Sequence, residues 1–206
     1  MENKEQIAKA AEELFMTYGV RNVSMDDISR KISISKKTIY QHYKDKEEIV
    51  CLVTQRVLLK ERSKMFNIKK EAEDAIHEIV LVSSYLRAYS QNVNPSILFD
   101  LQKYHARAWN IYLKFKESVF LDSLKETLHR GISEGVFRKD INVDVLSRLR
   151  IEEIQMASDS KIFPTDKFNF KKVQIQLFEH FMHGILTSEG RKKLSLHSEK
   201  VLNDEI

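Results

Sequence analysis

Glycine and proline are scarce in this 206-residue chain, with five copies of the first and two of the second. Sheets need turns, and turns draw on both residues, so their scarcity argues for helices with short connections. A single cysteine, Cys51, rules out an internal disulfide framework and fits a reducing compartment. No apolar run approaches the ~18 residues of a membrane span. The opening MENKEQIAKAAEELF is charged and amphipathic, unlike a signal peptide, so a cytoplasmic protein with no membrane partner is expected. A glycine-rich phosphate loop, a nucleophile elbow and HExxH are missing as well. With no clustered acid–base set, the chain reads as a non-enzyme that needs no cofactor. Net charge is +4 and the isoelectric point about 9.0, too mild by themselves to argue for nucleic acid.

What is present is helical periodicity. Ile7, Ala8, Ala11, Leu14, Phe15 and Tyr18 fall on one stripe of a first helix, and Gly19 stands where a left-handed residue ends one. Asp45, with Glu48 three residues on, opens a fourth helix whose apolar face is Ile49, Val50, Leu52, Val53 and Val57. The basic run Lys60, Arg62, Lys64, Lys69 and Lys70 near its end reads as a solvated face. Further candidates are 71–91, 95–119, 120–134, 143–160 and 168–187, with a linker around Pro164 and a polar tail from Ser188. The expected fold is all-α with about nine helices.

The densest information lies in residues 24–46, SMDDISRKISISKKTIYQHYKDK. Ser24 and Asp27 have capping-box spacing. Met25, Ile28 and Ile32 share one helical face, the period breaks at Ser33, and Ser35 can cap a next helix. Two short helices about a tight turn result, the second presenting amines, hydroxyls and a phenol. The major groove accepts such a rod. From Arg30 to Lys46, six cations (Arg30, Lys31, Lys36, Lys37, Lys44, Lys46) meet one acid, Asp45. With the first helix this makes a three-helix unit, 1–46, with Ile7, Leu14, Phe15, Ile28, Ile34 and Ile39 as its core.

These residues resemble the DNA-binding domain of the TetR family of bacterial transcription regulators. The resemblance spans residues 7–50, about a quarter of the chain. It rests on Gly19, Ser24-Met25, Ile28-Ser29, Ile32-Ser33-Ile34, Ser35-Lys36-Lys37-Thr38, Ile39-Tyr40-Gln41-His42-Tyr43 and Lys46-Glu47-Glu48. One position departs: Ser33 stands where the family has glycine, preceded by Ile32 in place of alanine. The resemblance implies a helix-turn-helix domain over 1–46 and a ligand-binding and dimerisation domain over 47–206. Lys36, Lys37, Thr38 and Gln41 are the expected base readers. Ser24, Ser35, Tyr40, His42 and Lys46 are the expected phosphate contacts, helped by the N-termini of helices two and four. Tyr43 reads as core with a wet hydroxyl.

The resemblance further implies a homodimer on a palindromic double-stranded operator, since one such module covers too little DNA. Pairing falls to 143–160 and 168–187, through Leu146, Leu149, Ile154, Val173, Leu177, Phe178, Phe181, Met182 and Ile185; a monomeric core using the same residues is the alternative. Tyr85, Tyr89, Phe99, Tyr104, Trp109, Tyr112 and Met156 are candidates to line a pocket for an unidentified apolar or amphipathic effector. The expected function is a ligand-responsive dimeric repressor. The alternative is an all-helical binding protein or enzyme with its pocket in 71–187. His180 and His183, three apart, lack a carboxylate or cysteine to complete a metal set, and His77 and His105 read as ordinary structural histidines. No metal site is expected.

Overall fold

The computed structural model describes the backbone of residues 2–159, 161–164 and 166–204. Among the described residues it contains eleven α-helices: α1 Glu2–Tyr18, α2 Met25–Lys31, α3 Lys36–His42, α4 Lys46–Glu71, α5 Ala75–Gln91, α6 Ile97–Tyr104, α7 Ala106–Phe115, α8 Asp122–Ser133, α9 Val143–Met156, α10 Phe170–Ile185 and α11 Ser188–Asp204. A π-helical stretch, Lys116–Leu121, joins α7 to α8. The fold is all-α, as the composition predicts.

Two differences raise the helix count above nine. The 95–119 segment divides at His105, whose backbone (φ −134°, ψ 66°) ends α6 and caps α7. Its ring nitrogen Nδ1 is held by the Glu47 carboxylate, a partner 58 positions away that local periodicity does not register. The tail from Ser188 forms α11. Thr187 Oγ1 accepts the Gly190 N–H at 3.1 Å, and Gly190 packs so tightly that a Cβ there would lie 2.2 Å from the Val136 carbonyl oxygen.

Packing divides the chain into two units, 1–63 with 89–116, and 64–88 with 117–206. The first therefore extends beyond the 1–46 boundary expected from the helix-turn-helix. The reason is that the apolar faces of α1–α3 are covered by the start of α4 and by α6 and α7. Ile7, Ala11, Phe15, Ile28, Ile39 and Tyr43 share one core with Ile49, Val50, Val53, Leu101 and Ala108. Leu14 and Ile34, expected in that core, pack at its margin. Each aliphatic side chain fully buried this way contributes about 1.5–3 kcal/mol. Arg56 of α4 clamps α1 through Glu5, with Nη1 and Nη2 both at 2.7 Å from its carboxylate oxygens.

The second unit is built around Ile76, Val80, Leu128, Val136, Phe137, Phe181, Met182 and Ile185. Gly131 of α8 lies flat against the Phe137 ring, where a Cβ would come within 2.0 Å. An isolated antiparallel bridge between Phe137 and Leu186 pins the chain after α8 to the end of α10.

Candidate nucleic-acid interface

The helix-turn-helix is held by local hydrogen bonds that its sequence specifies. Ser24 Oγ accepts the Asp27 N–H at 3.2 Å while the Asp27 carboxylate accepts the Ser24 N–H at 2.8 Å, a closed capping box. The Ser24 hydroxyl, then its amide, then Arg30 hold the Asp27 carboxyl down at about 2. At the far end of α2, Ser33 N–H donates to the Arg30 carbonyl and Ile34 N–H to the Ser29 carbonyl, at 3.3 and 3.1 Å. That is a Schellman pattern, and it needs a left-handed residue at its centre. Ser33 supplies it at φ +54°, the one positive-φ residue other than glycine among the described residues. Ser35 then caps α3, its Oγ accepting the Thr38 N–H at 3.0 Å.

Below α3, Ile39 and Tyr43 are buried. The Tyr43 hydroxyl donates to the Lys4 carbonyl at 2.9 Å, so this tyrosine is core with a satisfied hydroxyl. The opposite face of α3 carries Lys37, Tyr40 and Gln41 at three- and four-residue steps, and Lys44 follows just beyond the helix end; all four are exposed. Among the described residues none of these four side chains has a hydrogen-bonded or ionic partner. His42 is half-buried beside them.

The other cations of the cluster are engaged. Arg30 pairs with Asp27, Lys31 with Glu13 at 2.9 Å, and Lys36 with Asp26 at 3.0 Å. The Asp26 carboxylate raises the Lys36 pKa. Lys46 is a correction: it was expected on phosphate, but the structure turns it inward. Its Nζ donates to the Val20 carbonyl at 2.6 Å and lies 5.9 Å from the Phe15 ring centre. Burial lowers its pKa against the pull of Asp100 and Asp27. Ser24, Ser35 and Thr38 lie on the exposed side, but their hydroxyls are engaged in caps. Only Lys37 and Lys44 remain as unpaired cations of the six.

The turn between α1 and α2 is gripped by the segment before α6, which sequence reading missed. Asn94 N–H donates to the Met16 carbonyl at 2.7 Å and Asn94 Nδ2 to the Thr17 carbonyl at 3.1 Å, satisfying the last carbonyls of α1. The buried Asp100 carboxylate accepts the Arg21 N–H at 3.0 Å. Gly19, at φ +80°, makes room for this, because a Cβ would stand 2.5 Å from Ser96 Oγ. With partners about 79 positions apart, these contacts leave no local sequence signal.

The aromatics expected to line a pocket are divided between the two units. Phe99 and Tyr104 are 46% and 40% exposed, and Arg21 and Lys103 sit over Tyr104. Trp109 stacks on Tyr112 at 5.1 Å against the first core. Tyr89 shares that unit, its phenol pushed up to about 12 by burial, whereas Tyr85 and Met156 belong to the second unit. In the second unit a narrow seam of about 20 Å³ lies between α5, α9 and α10, lined by Ser83, Leu86, Arg87, Arg150, Ile154 and Leu177. Arg150 is buried beside Glu153 at 3.4 Å and over Phe178 and Phe181.

Of the residues expected to pair two copies, Val173, Phe181, Met182 and Ile185 are buried within the chain itself. These four correct the expected interface; around Phe181, Met182 and Ile185 the cause is the core that Phe137, bridged to Leu186, builds at the end of α10. Leu146, Leu177 and Phe178 are half-buried, and Leu149 is 47% exposed. Val145, one turn before Leu149, is 58% exposed.

Residues 7–51 match the family model described as bacterial regulatory proteins, tetR family. A helix-turn-helix-type transcriptional regulator of Staphylococcus aureus (strain bovine RF122 / ET3-1) is 24% identical over 193 residues, 92% of this chain and 95% of the relative. The fold is similar to a transcriptional regulator from Saccharomonospora viridis solved with choline, at TM-score 0.78 and 18% identity, covering 90% of this chain and 98% of that one. It is also similar to the transcriptional regulator FadR from Bacillus subtilis solved with stearoyl-CoA, at TM-score 0.65 and 19% identity, covering 88% and 98%.

Proposed function

We propose that this protein, a DNA-binding transcriptional regulator of the TetR family and not an enzyme, binds a palindromic operator as a homodimer and releases it when an apolar or amphipathic small molecule binds. The observation that carries the reading is the unpartnered set Lys37, Tyr40 and Gln41 on a short helix anchored beneath by Ile39 and Tyr43, with Lys44 just beyond the helix end. Lys37 and Gln41 read base edges, Lys to guanine acceptors and Gln to adenine. The Thr38 methyl faces thymine, and Lys36 joins them when it leaves Asp26. Tyr40, His42 and Lys44 hold phosphates, with Ser24 and Ser35 at the margins.

Two copies pair through α9 and α10, where Val145 and Leu149 present an apolar stripe to solvent and Leu146, Leu177 and Phe178 widen it. The effector enters the seam lined by Arg87 and Arg150. Its present volume of about 20 Å³ admits roughly one water. A ligand must therefore open it, and that movement supplies the two states a switch needs. The Arg87 and Arg150 guanidiniums, with the Glu153 carboxylate that pairs Arg150, make the seam polar and favour an amphipathic ligand over a neutral hydrocarbon. The ligands of the two neighbours, stearoyl-CoA and choline, support an effector of mixed polarity.

Selection of bound duplexes from a random pool, followed by titration at several salt concentrations, tests the reading. A two-fold symmetric site is expected, with affinity falling by a log–log slope of about −0.9 per phosphate contacted. Equal affinity for selected and random duplexes would refute it.

A further inference from the structure

We propose that Glu73, His77 and His197 form a binding site for one divalent transition-metal ion of the Zn²⁺ type, which ties α11 to the turn between α4 and α5. One ligand atom from each of the three side chains lies within 4.8 Å of the others. Glu73 is exposed at the turn, His77 is half-buried in the first turn of α5, and His197 is buried in α11. All three belong to the second packing unit.

The hydrogen bonds around the His197 ring leave one of its nitrogens available. His197 Nε2 lies 3.2 Å from an Asp74 carboxylate oxygen, which only accepts, so Nε2 carries the hydrogen. His197 Nδ1 is buried and has no partner. A proton there would be a buried donor without an acceptor, so the lone pair sits on Nδ1. A buried, unprotonated imidazole nitrogen whose opposite nitrogen is held by a carboxylate is the arrangement that orients histidines on metals. On His77 the unprotonated nitrogen is again Nδ1, since it accepts the Glu73 N–H at 3.2 Å. A metal at His77 Nδ1 would take the place of that bond.

Asp74 is the supporting group. It caps α5 by accepting the His77 N–H at 2.9 Å, and it takes both His197 and Lys193 on one oxygen. The Lys193 amine, 39% exposed, balances Asp74 and is long enough to swing into water when a cation arrives.

The rings are now stacked, with centroids 4.6 Å apart and planes within 5°. A tetrahedral zinc set needs its ligand atoms roughly 3.4 Å apart, with the metal near each ring plane. Loading therefore turns the half-buried His77 out of the stack while the Asp74-held His197 stays fixed. Two imidazoles and one carboxylate suit Zn²⁺ or Co²⁺, and do not suit Mg²⁺ or Ca²⁺, which take oxygen sets.

The test uses the full chain without a polyhistidine tag, freed of metal by chelation. Zn²⁺ is titrated by calorimetry and Co²⁺ by its visible absorption. One ion per chain is expected, with a rise in the thermal midpoint that a chelator reverses, and no response to Mg²⁺. His77→Gln and His197→Gln should each weaken binding by at least about tenfold, and Asp74→Asn by about 10–100-fold. His180→Gln with His183→Gln should leave it unchanged. Should His197→Gln fail to fold, Glu73→Gln, an exposed change, still has to weaken binding. Absence of saturable Zn²⁺ binding in the parent chain would overturn the proposal. So would binding that survives His77→Gln or Glu73→Gln unaltered.

Discussion

The Lys36 ammonium on α3 lies 3.0 Å from the Asp26 carboxylate on α2, bridging the two arms of the helix-turn-helix. Both side chains are about half exposed, 47% and 57%, so the pair is held in water and is weak. A phosphate or a guanine can compete for the amine at that strength. On the function proposed above, Asp26 is a weak counter-ligand that DNA would displace from Lys36.

Removing the counter-ligand makes this measurable. Asp26→Asn should tighten binding to the selected duplex by up to about fivefold, the limit for so weak a pair. The salt dependence should steepen if the freed amine reaches a phosphate. Fluorescence anisotropy at several salt concentrations reads both, and Lys36→Ala in the same background should abolish the gain. A gain that persists without Lys36 would mean that Asp26 acts only by repelling DNA.

Lys46 separates stability from binding. Its amine reaches the Val20 carbonyl from a half-buried position, and a hydrogen bond from a charged donor is worth about 1.5–3 kcal/mol. Lys46→Met should lower unfolding stability by about that range and leave the salt slope of DNA binding unchanged. If instead the slope falls by about 0.9 at constant stability, Lys46 reaches a phosphate in the complex after all.

Ser33 bears a backbone that glycine adopts without cost, at φ +54°. The left-handed region costs a side-chain-bearing residue about 1–2 kcal/mol, while glycine loses about 0.5–1 kcal/mol more in backbone entropy. Ser33→Gly should therefore stabilise the protein by up to about 1 kcal/mol, and Ser33→Val should destabilise it by a similar amount. Urea unfolding midpoints decide the signs. A stable Ser33→Val variant would show that the turn can move out of the left-handed region.

Local rules carried the helix-turn-helix itself. The capping box at Ser24, the cap at Ser35, the turn at Ser33 and the buried Ile28, Ile39 and Tyr43 were legible locally, and all stand in the structure; the left-handed backbone of Ser33 is what the structure adds. The charge reading was less complete. Periodicity counts six cations but does not say that Glu13, Asp26 and Asp27 stand opposite three of them. Position in the chain also hides Asp100 beneath Arg21 and His197 beside His77, because those pairs are made by packing and not by adjacency. For the same reason helical spacing does not say which aromatics face inward. Phe99 and Tyr104 keep helical spacing with their neighbours, yet α6 is cut off at His105 and turns that face to solvent.

The capping box of α2 gives the domain an acid limb of its own. In the folded chain the Ser24 hydroxyl and amide, with Arg30, hold the Asp27 carboxyl at about 2 against an ordinary 3.8. A carboxyl depressed by folding stabilises the folded state above its ordinary value, and the contribution fades as pH falls toward the folded one. Urea midpoints should therefore drop between about pH 4 and pH 2. Ser24→Ala removes the first of those hydrogen bonds, which should lessen the drop and lower stability near neutrality by about 0.5–2 kcal/mol. Asp27→Asn should lose the part of the limb that Asp27 supplies while keeping an acceptor for the Ser24 N–H. Were the wild-type and Asp27→Asn midpoints to fall in parallel over that interval, the box would stay closed with a protonated Asp27, and the acid sensitivity would belong to other carboxylates.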